Sequence, residues 1–261
     1  MNPTKAAVAS GIVVLAVGTG YGVSTLFNND MPEYFSLAAP ATEKYVSGYK
    51  DYFVDRSKVE NNDWWKWVHK NRYSGKAPIT GKFAGLESGD AEEKSIKKVC
   101  GEFYEEVIAN VETTDASTDV NKYLEADVWT YCSVLEKKPK TISEANRISD
   151  YSTTGTYGNV KASNLLDVEH GDNSYFWNLK NDEFFGRSKR KGATSIESDL
   201  TTDTSIFKAL YGKFKNKKGF NPYVDTVKNT CKEAYSKNIS RDNTAPSVEV
   251  FKFCSLKGEG S

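Results

Sequence analysis

Residues Ala6 to Phe27 form an uncharged run of 22 positions, AAVASGIVVLAVGTGYGVSTLF. At about 1.5 Å of rise per residue, a helix of that length measures about 33 Å, enough to cross a hydrocarbon core of about 30 Å. Backbone polar groups find no water inside a bilayer, so a helix is the open single-segment solution. Lys5 precedes the run, and Asp30 and Glu33 follow it. The positive-inside rule then predicts a cytoplasmic N-terminus with the rest of the chain outside the cell, a single-pass cell-membrane protein. A cleaved signal peptide is the second reading, with Gly20 and Gly22 before the cleavage point and a secreted product. Gly11, Gly18 and Gly22 share one helical face, which offers a packing surface for a homodimer of anchors.

Searching the chain against itself reveals an internal repeat. Cys100-Gly101-Glu102-Phe103-Tyr104 matches Cys231-Lys232-Glu233-Ala234-Tyr235 in a C-x-E-x-Y pattern. Asp127-Val128-Trp129-Thr130-Tyr131-Cys132-Ser133-Val134 aligns with Glu249-Val250-Phe251-Lys252-Phe253-Cys254-Ser255-Leu256. An aromatic cluster precedes each cysteine pair, Trp64-Trp65-Lys66-Trp67 in one half and Tyr175-Phe176-Trp177 in the other. The expected organisation is an anchor (1–27), a stalk (28–42), a first module (43–143), a linker (144–159) and a second module (160–261). Ser152 to Gly158, rich in turn formers, marks the linker.

The expected fold is mainly α. Ser88 to Asn110 reads as a helix, with Ile96, Val99, Cys100, Phe103 and Val107 on one face. Asn221 and Pro222 have the form of an N-cap and first helical residue, followed by Val224, Val227, Cys231 and Tyr235. Ser205 to Phe214 is a further amphipathic segment. Val120, Leu124, Val128 and Cys132 keep a helical period, whereas Val248 to Phe253 alternates as a strand does. Related halves should share a fold, so helix is expected in both, with a short strand near each second cysteine left open.

Four cysteines permit three pairings, and an oxidising compartment favours disulfides. Closure of each module on itself selects Cys100–Cys132 and Cys231–Cys254. A zinc site would show ligand pairs two to four residues apart, and no C-x-x-C occurs. No metal or cofactor is expected.

Catalytic patterns are weak. His69 and His170 lack metal-ligand partners one turn away. Ser95-Ile96-Lys97-Lys98 matches S-x-x-K without companion motifs, and Gly75 to Lys82 has the wrong spacing for a phosphate loop. No enzyme is predicted on this basis, and the alternative is an anchored hydrolase with a site between the modules. Two binding patches remain as candidates: the aromatic Trp64, Trp65 and Trp67, a kind of cluster that is more often core, and the basic Arg187, Lys189, Arg190 and Lys191, a kind of run that is more often a solvated loop. Lys plus Arg number 35, as do Asp plus Glu. That balance argues against nucleic acid as a partner. Asn238-Ile239-Ser240 has the form of a glycosylation acceptor.

The layout of a small-residue-rich anchor, a tryptophan-bearing segment (Trp64, Trp65), a helical Cys100 and a later Trp129-x-x-Cys132 resembles the large paralogous families of haemotropic mycoplasmas. Trp177, Cys231, Phe251 and Cys254 repeat the pattern, and carrying it twice departs from those families. The resemblance implies a surface-exposed member of an expanded family, engaged in host-cell contact or antigenic diversity. It implies no catalytic residue. The expected role is therefore a displayed binding or antigenic module.

Overall fold

A computed structural model describes residues 30–76, 81–113 and 121–258. The anchor run, its glycine face and Val120 lie outside these residues. No helix among the described residues is long and apolar enough to cross a membrane. The described chain is mainly helical. In the N-terminal half, a 3-10 segment (Tyr45–Tyr52) leads to α1 (Asn62–Val68), α2 (Ile96–Phe103), a two-residue parallel pair β1 (Val111–Glu112) and β2 (Tyr123–Leu124), and α3 (Glu125–Cys132). The C-terminal half holds α4 (Tyr157–Val160), α5 (Ser174–Phe184), α6 (Ile206–Asn216), α7 (Val227–Tyr235) and α8 (Ser247–Cys254). The alternating segment before Cys254 is thus a helix, as the related segment before Cys132 is.

Local chemistry sets the ends of these helices. The helix expected over Ser88 to Asn110 shortens to α2, because the Ser95 hydroxyl accepts from Lys98 N and caps the first turn. Lys94, at φ 47°, turns the chain just before it. The acidic residues upstream therefore lie in a loop. Asn221 does not cap α7. Its carboxamide accepts from Tyr223 N in a local turn, and Thr226 caps the helix by accepting from Asn229 N. Val224, expected on the buried stripe, is instead 58% exposed. Ser205 does cap α6, accepting from Phe207 N and Lys208 N.

Both predicted disulfides are present. Cys100 of α2 joins Cys132 of α3, and Cys231 of α7 joins Cys254 of α8, with Cα atoms 5.5 and 5.7 Å apart. All four cysteines are fully buried, consistent with their inward faces.

Around each disulfide the same hydrogen bonds recur. Tyr104 OH donates to Val54 O at 2.8 Å, and Tyr235 OH donates to Leu166 O at 2.7 Å. Val54 N donates to Cys132 O, as Leu166 N does to Cys254 O. The Ser133 hydroxyl returns to Trp129 O, and that of Ser255 to Phe251 O. Tyr45 N reaches Glu106 O, and Tyr157 N reaches Lys237 O. The carboxamides of Asn61 and Asn173 are also equivalent. Asn61 bridges Phe35 N, Phe35 O and Asp55 O, while Asn173 bridges Lys140 N, Lys140 O and Asp167 O. Each carboxamide thereby uses both its N–H donors and one acceptor lone pair, three of the four hydrogen bonds it can make.

This register also shows what the stalk and linker regions do. Met31 and Tyr34, in the expected stalk, are buried, and Phe35 belongs to the Asn61 clamp. Thr156 and Tyr157, at the expected linker, are buried too, and Tyr157 occupies the place of Tyr45. Neither segment is a free connector, because each supplies side chains or backbone pairs to the packed interior. Buried side chains of both halves form one cluster, rich in edge-to-face aromatic pairs.

Candidate functional site

The two sequence-level patches have different fates. Trp64 and Trp65 are fully buried on α1, with ring centroids 4.8 Å apart. They cannot offer a surface, and the aromatic cluster is core. Trp67 is half-buried, and the Arg72 guanidinium lies over its ring at 5.1 Å. Arg72 itself is buried and donates to Thr130 O and Ser133 O at the end of α3, with Glu136 at 3.0 Å from its Nε. Removing carbonyls from water without donors is costly, so this arginine closes the helix end.

The basic run is occupied as well. The chain just after residue 30 lies across it as a strap. Tyr34 N donates to Lys189 O at 3.0 Å, and Lys191 N donates back to Tyr34 O at 2.7 Å. Lys189 Nζ donates to Met31 O, and Lys191 pairs with Glu33 at 3.6 Å. Arg187 pairs with Asp182. Arg190 bonds Asp51 at 2.9 Å and Glu183 at 3.2 Å. Lys189, Arg190 and Lys191 therefore tie the N-terminal segment and the first half to the second half, Arg187 is paired within the second half, and the four do not form a free patch.

Beside Arg190 a cleft of about 570 Å³ opens between the halves. One wall is the end of the 3-10 segment, with Ser47, Gly48, Tyr49, Lys50, Asp51 and Tyr52. The facing wall carries Lys180, Glu183 and Phe184 of α5, and Thr194 and Asp199 follow along the chain. Lys252, Leu256 and Lys257, from α8 and just beyond it, form the rim. The volume lies within the ordinary range for small-molecule sites.

Most of its charges neutralise one another. Lys180 pairs with Glu183 at 3.2 Å and sits 5.4 Å above the Tyr52 ring. Burial acts to lower the Lys180 pKa, but Glu183 and then Tyr52 outweigh it and hold the ammonium above the usual lysine range. Burial likewise opposes the Arg190 charge, and Glu183 and Asp51 overcome it. Lys252 pairs with Asp199. Lys180 and Arg190 thus remain cations, held in place rather than poised to exchange protons.

The histidines lie outside this cleft. His69 stacks on Tyr73 with centroids 5.4 Å apart, and His170 Nδ1 accepts from Asp172 N. No cluster of three or more metal-ligating side chains occurs among the described residues. The Asn238 side chain accepts from Ser240 N within its own turn.

Sequence reasoning allowed a site between the modules and named Arg190, but missed the other lining residues, because the walls come from positions far apart along the chain. One available signal was the spacing Asp55-x5-Asn61 followed by Trp64-Trp65, repeated as Asp167-x5-Asn173 followed by Phe176-Trp177. It aligns the halves well ahead of the cysteines and shows where the aromatic pairs belong. No protein-family model, curated protein or solved structure matches this chain.

Proposed function

We propose that the chain is a membrane-anchored protein displayed outside the cell, and that its folded part acts by binding rather than by catalysis. The 22-residue apolar run and the single preceding lysine support the topology. Two buried disulfides fit an oxidising compartment. The tandem organisation is read as two related modules, each closed by its own disulfide and both sharing one interior.

The observation that carries the binding reading is the cleft between the halves. It is lined by ionised side chains held in mutual pairs. Such pairs give shape and fixed charge for recognition, whereas general acid–base chemistry calls for a group tuned to exchange a proton near the working pH.

The test uses the full chain expressed in cells. A membrane-impermeant amine reagent applied to intact cells is expected to modify exposed lysines such as Lys50 and Lys217. Peptide mapping without reduction is expected to show one disulfide within each half. Labelling that appears only after lysis would overturn the topology.

A further inference from the structure

We propose that the cleft between the halves binds a small anionic sugar, with Lys50 and Lys257 meeting its negative group. This deepens the binding reading above and rests on its placing recognition in that cleft.

The argument begins with charge. The cleft is lined by five cations, Lys50, Lys180, Arg190, Lys252 and Lys257, and by three carboxylates, Asp51, Glu183 and Asp199. In a chain of zero net charge this is a local surplus of two positive charges. Lys180, Arg190 and Lys252 are each matched to a carboxylate. Lys50 and Lys257 have no ion pair among the described residues, and both are exposed. They are the two charges left over.

The placement of Lys257 is built. Lys257 Nζ sits 5.6 Å from the Tyr49 ring centroid, a cation–π distance that steers the ammonium along that face. Its stem passes over Gly48, where an added Cβ would come within 3.2 Å of Lys257 Cε. Glycine at that position leaves room for the lysine to lie along the wall. Lys50 projects from the same 3-10 segment two positions further on.

The remaining lining decides the rest of the ligand. An apolar body would strip water from Asp51, Glu183 and Asp199 without replacing it, which is unfavourable for ionised groups. Hydroxyl groups can donate to those carboxylates. Ser47, Thr194 and Tyr52 add hydroxyls of their own to the lining. Spare ammoniums call for an anion, and wall carboxylates call for hydroxyl donors. A polyhydroxylated anion satisfies both, as a sugar carboxylate or a sugar phosphate. A neighbouring cavity of about 180 Å³ shares Tyr49, Leu256 and Lys257, so these residues stand where a longer saccharide would cross from one space to the other.

The test is calorimetric titration of the full chain in detergent with four probes: glucuronate, glucose 6-phosphate, glucose and inorganic phosphate. At least one of the two anionic sugars is expected to bind more tightly than both glucose and phosphate, and the two together tell carboxylate from phosphate recognition. A unit charge pair at about 4 Å in high dielectric is worth about 1 kcal/mol, so each of Lys50→Ala and Lys257→Ala should weaken binding about fivefold. The double variant should weaken it by more than about tenfold, with an unchanged melting temperature because both side chains are exposed. Binding should also weaken as salt rises. Silence from both anionic sugars at about 20 mM, equal binding of glucose, or full binding by the double variant would overturn the proposal. A chain labelled from outside the cell yet indifferent to these probes would refute this ligand class and leave the topology standing.

Discussion

The same chemical change, tyrosine to phenylalanine, should have opposite consequences at three buried sites. Tyr104 and Tyr235 are 4% and 0% exposed, and each hydroxyl donates to a backbone carbonyl, Val54 O at 2.8 Å or Leu166 O at 2.7 Å. Phenylalanine keeps the ring packing and removes only the donor, which leaves a buried carbonyl short of its partner. A typical net hydrogen bond contributes about 1 kcal/mol, and an orphaned acceptor adds a desolvation penalty of about 1–3 kcal/mol. Tyr104→Phe and Tyr235→Phe should therefore each cost about 2 kcal/mol, and the two costs should agree within about 0.5 kcal/mol because the geometries match. Tyr34 is also fully buried, but its hydroxyl finds no hydrogen-bond partner among the described residues. Tyr34→Phe removes an unsatisfied polar group and should be neutral or stabilising. Thermal unfolding of the full chain in detergent, followed by tryptophan fluorescence and circular dichroism, provides the comparison. About 2 kcal/mol corresponds to a fall of about 4–8 °C for a chain of this size. Unequal effects at Tyr104 and Tyr235, or a loss at Tyr34 as large as theirs, would refute the account of paired hydroxyl clamps.

The disulfides and one buried carboxyl carry two further expectations. The disulfides close loops with sequence separations of 32 and 23 residues, so Cys100→Ala with Cys132→Ala, or Cys231→Ala with Cys254→Ala, should each cost roughly 3–4 kcal/mol in denaturant unfolding; a loss below about 1 kcal/mol would count against chain entropy as the source. Burial raises the Asp127 carboxyl from its ordinary value to about 6, so the folded state favours the protonated form. That contribution is complete below the unfolded-state pKa of about 4 and fades as pH rises through about 6. Asp127→Asn should thus be near neutral at pH 4 and stabilising by about 1 kcal/mol at pH 7.5, after allowance for solvent screening at this partly exposed site. Denaturant midpoints at the two pH values check it, and a pH-independent effect would refute it.

Much of the covalent and helical plan was legible in the chain. Cysteines on apolar helical stripes, and the matching octapeptides around Cys132 and Cys254, carried the disulfide pairing and the helical assignment of both segments. Helix lengths were less legible. Two capping hydroxyls, Ser95 and Thr226, prevailed over the acidic run at Asp90 to Glu93 and over the Asn221-Pro222 signal, since a cap fixes where the first turn closes. Tertiary pairing was not legible at all for the basic run. Lys189 meets Met31 across 158 positions, and nothing local distinguishes that lysine from a solvated one. Lys50 and Lys257 likewise share a cleft only because the ends of two distant segments converge.

The strap has a mechanical consequence. A pull applied to the chain at residue 30 would soon meet the backbone pair between Tyr34 and the 189–191 segment. That pair joins the first residues of one half to the other half, so tension would spread across both rather than peel the nearer one away. Both sulfur-closed loops begin beyond residue 99, downstream of this point of entry. The strap would have to rip free before either loop felt the load.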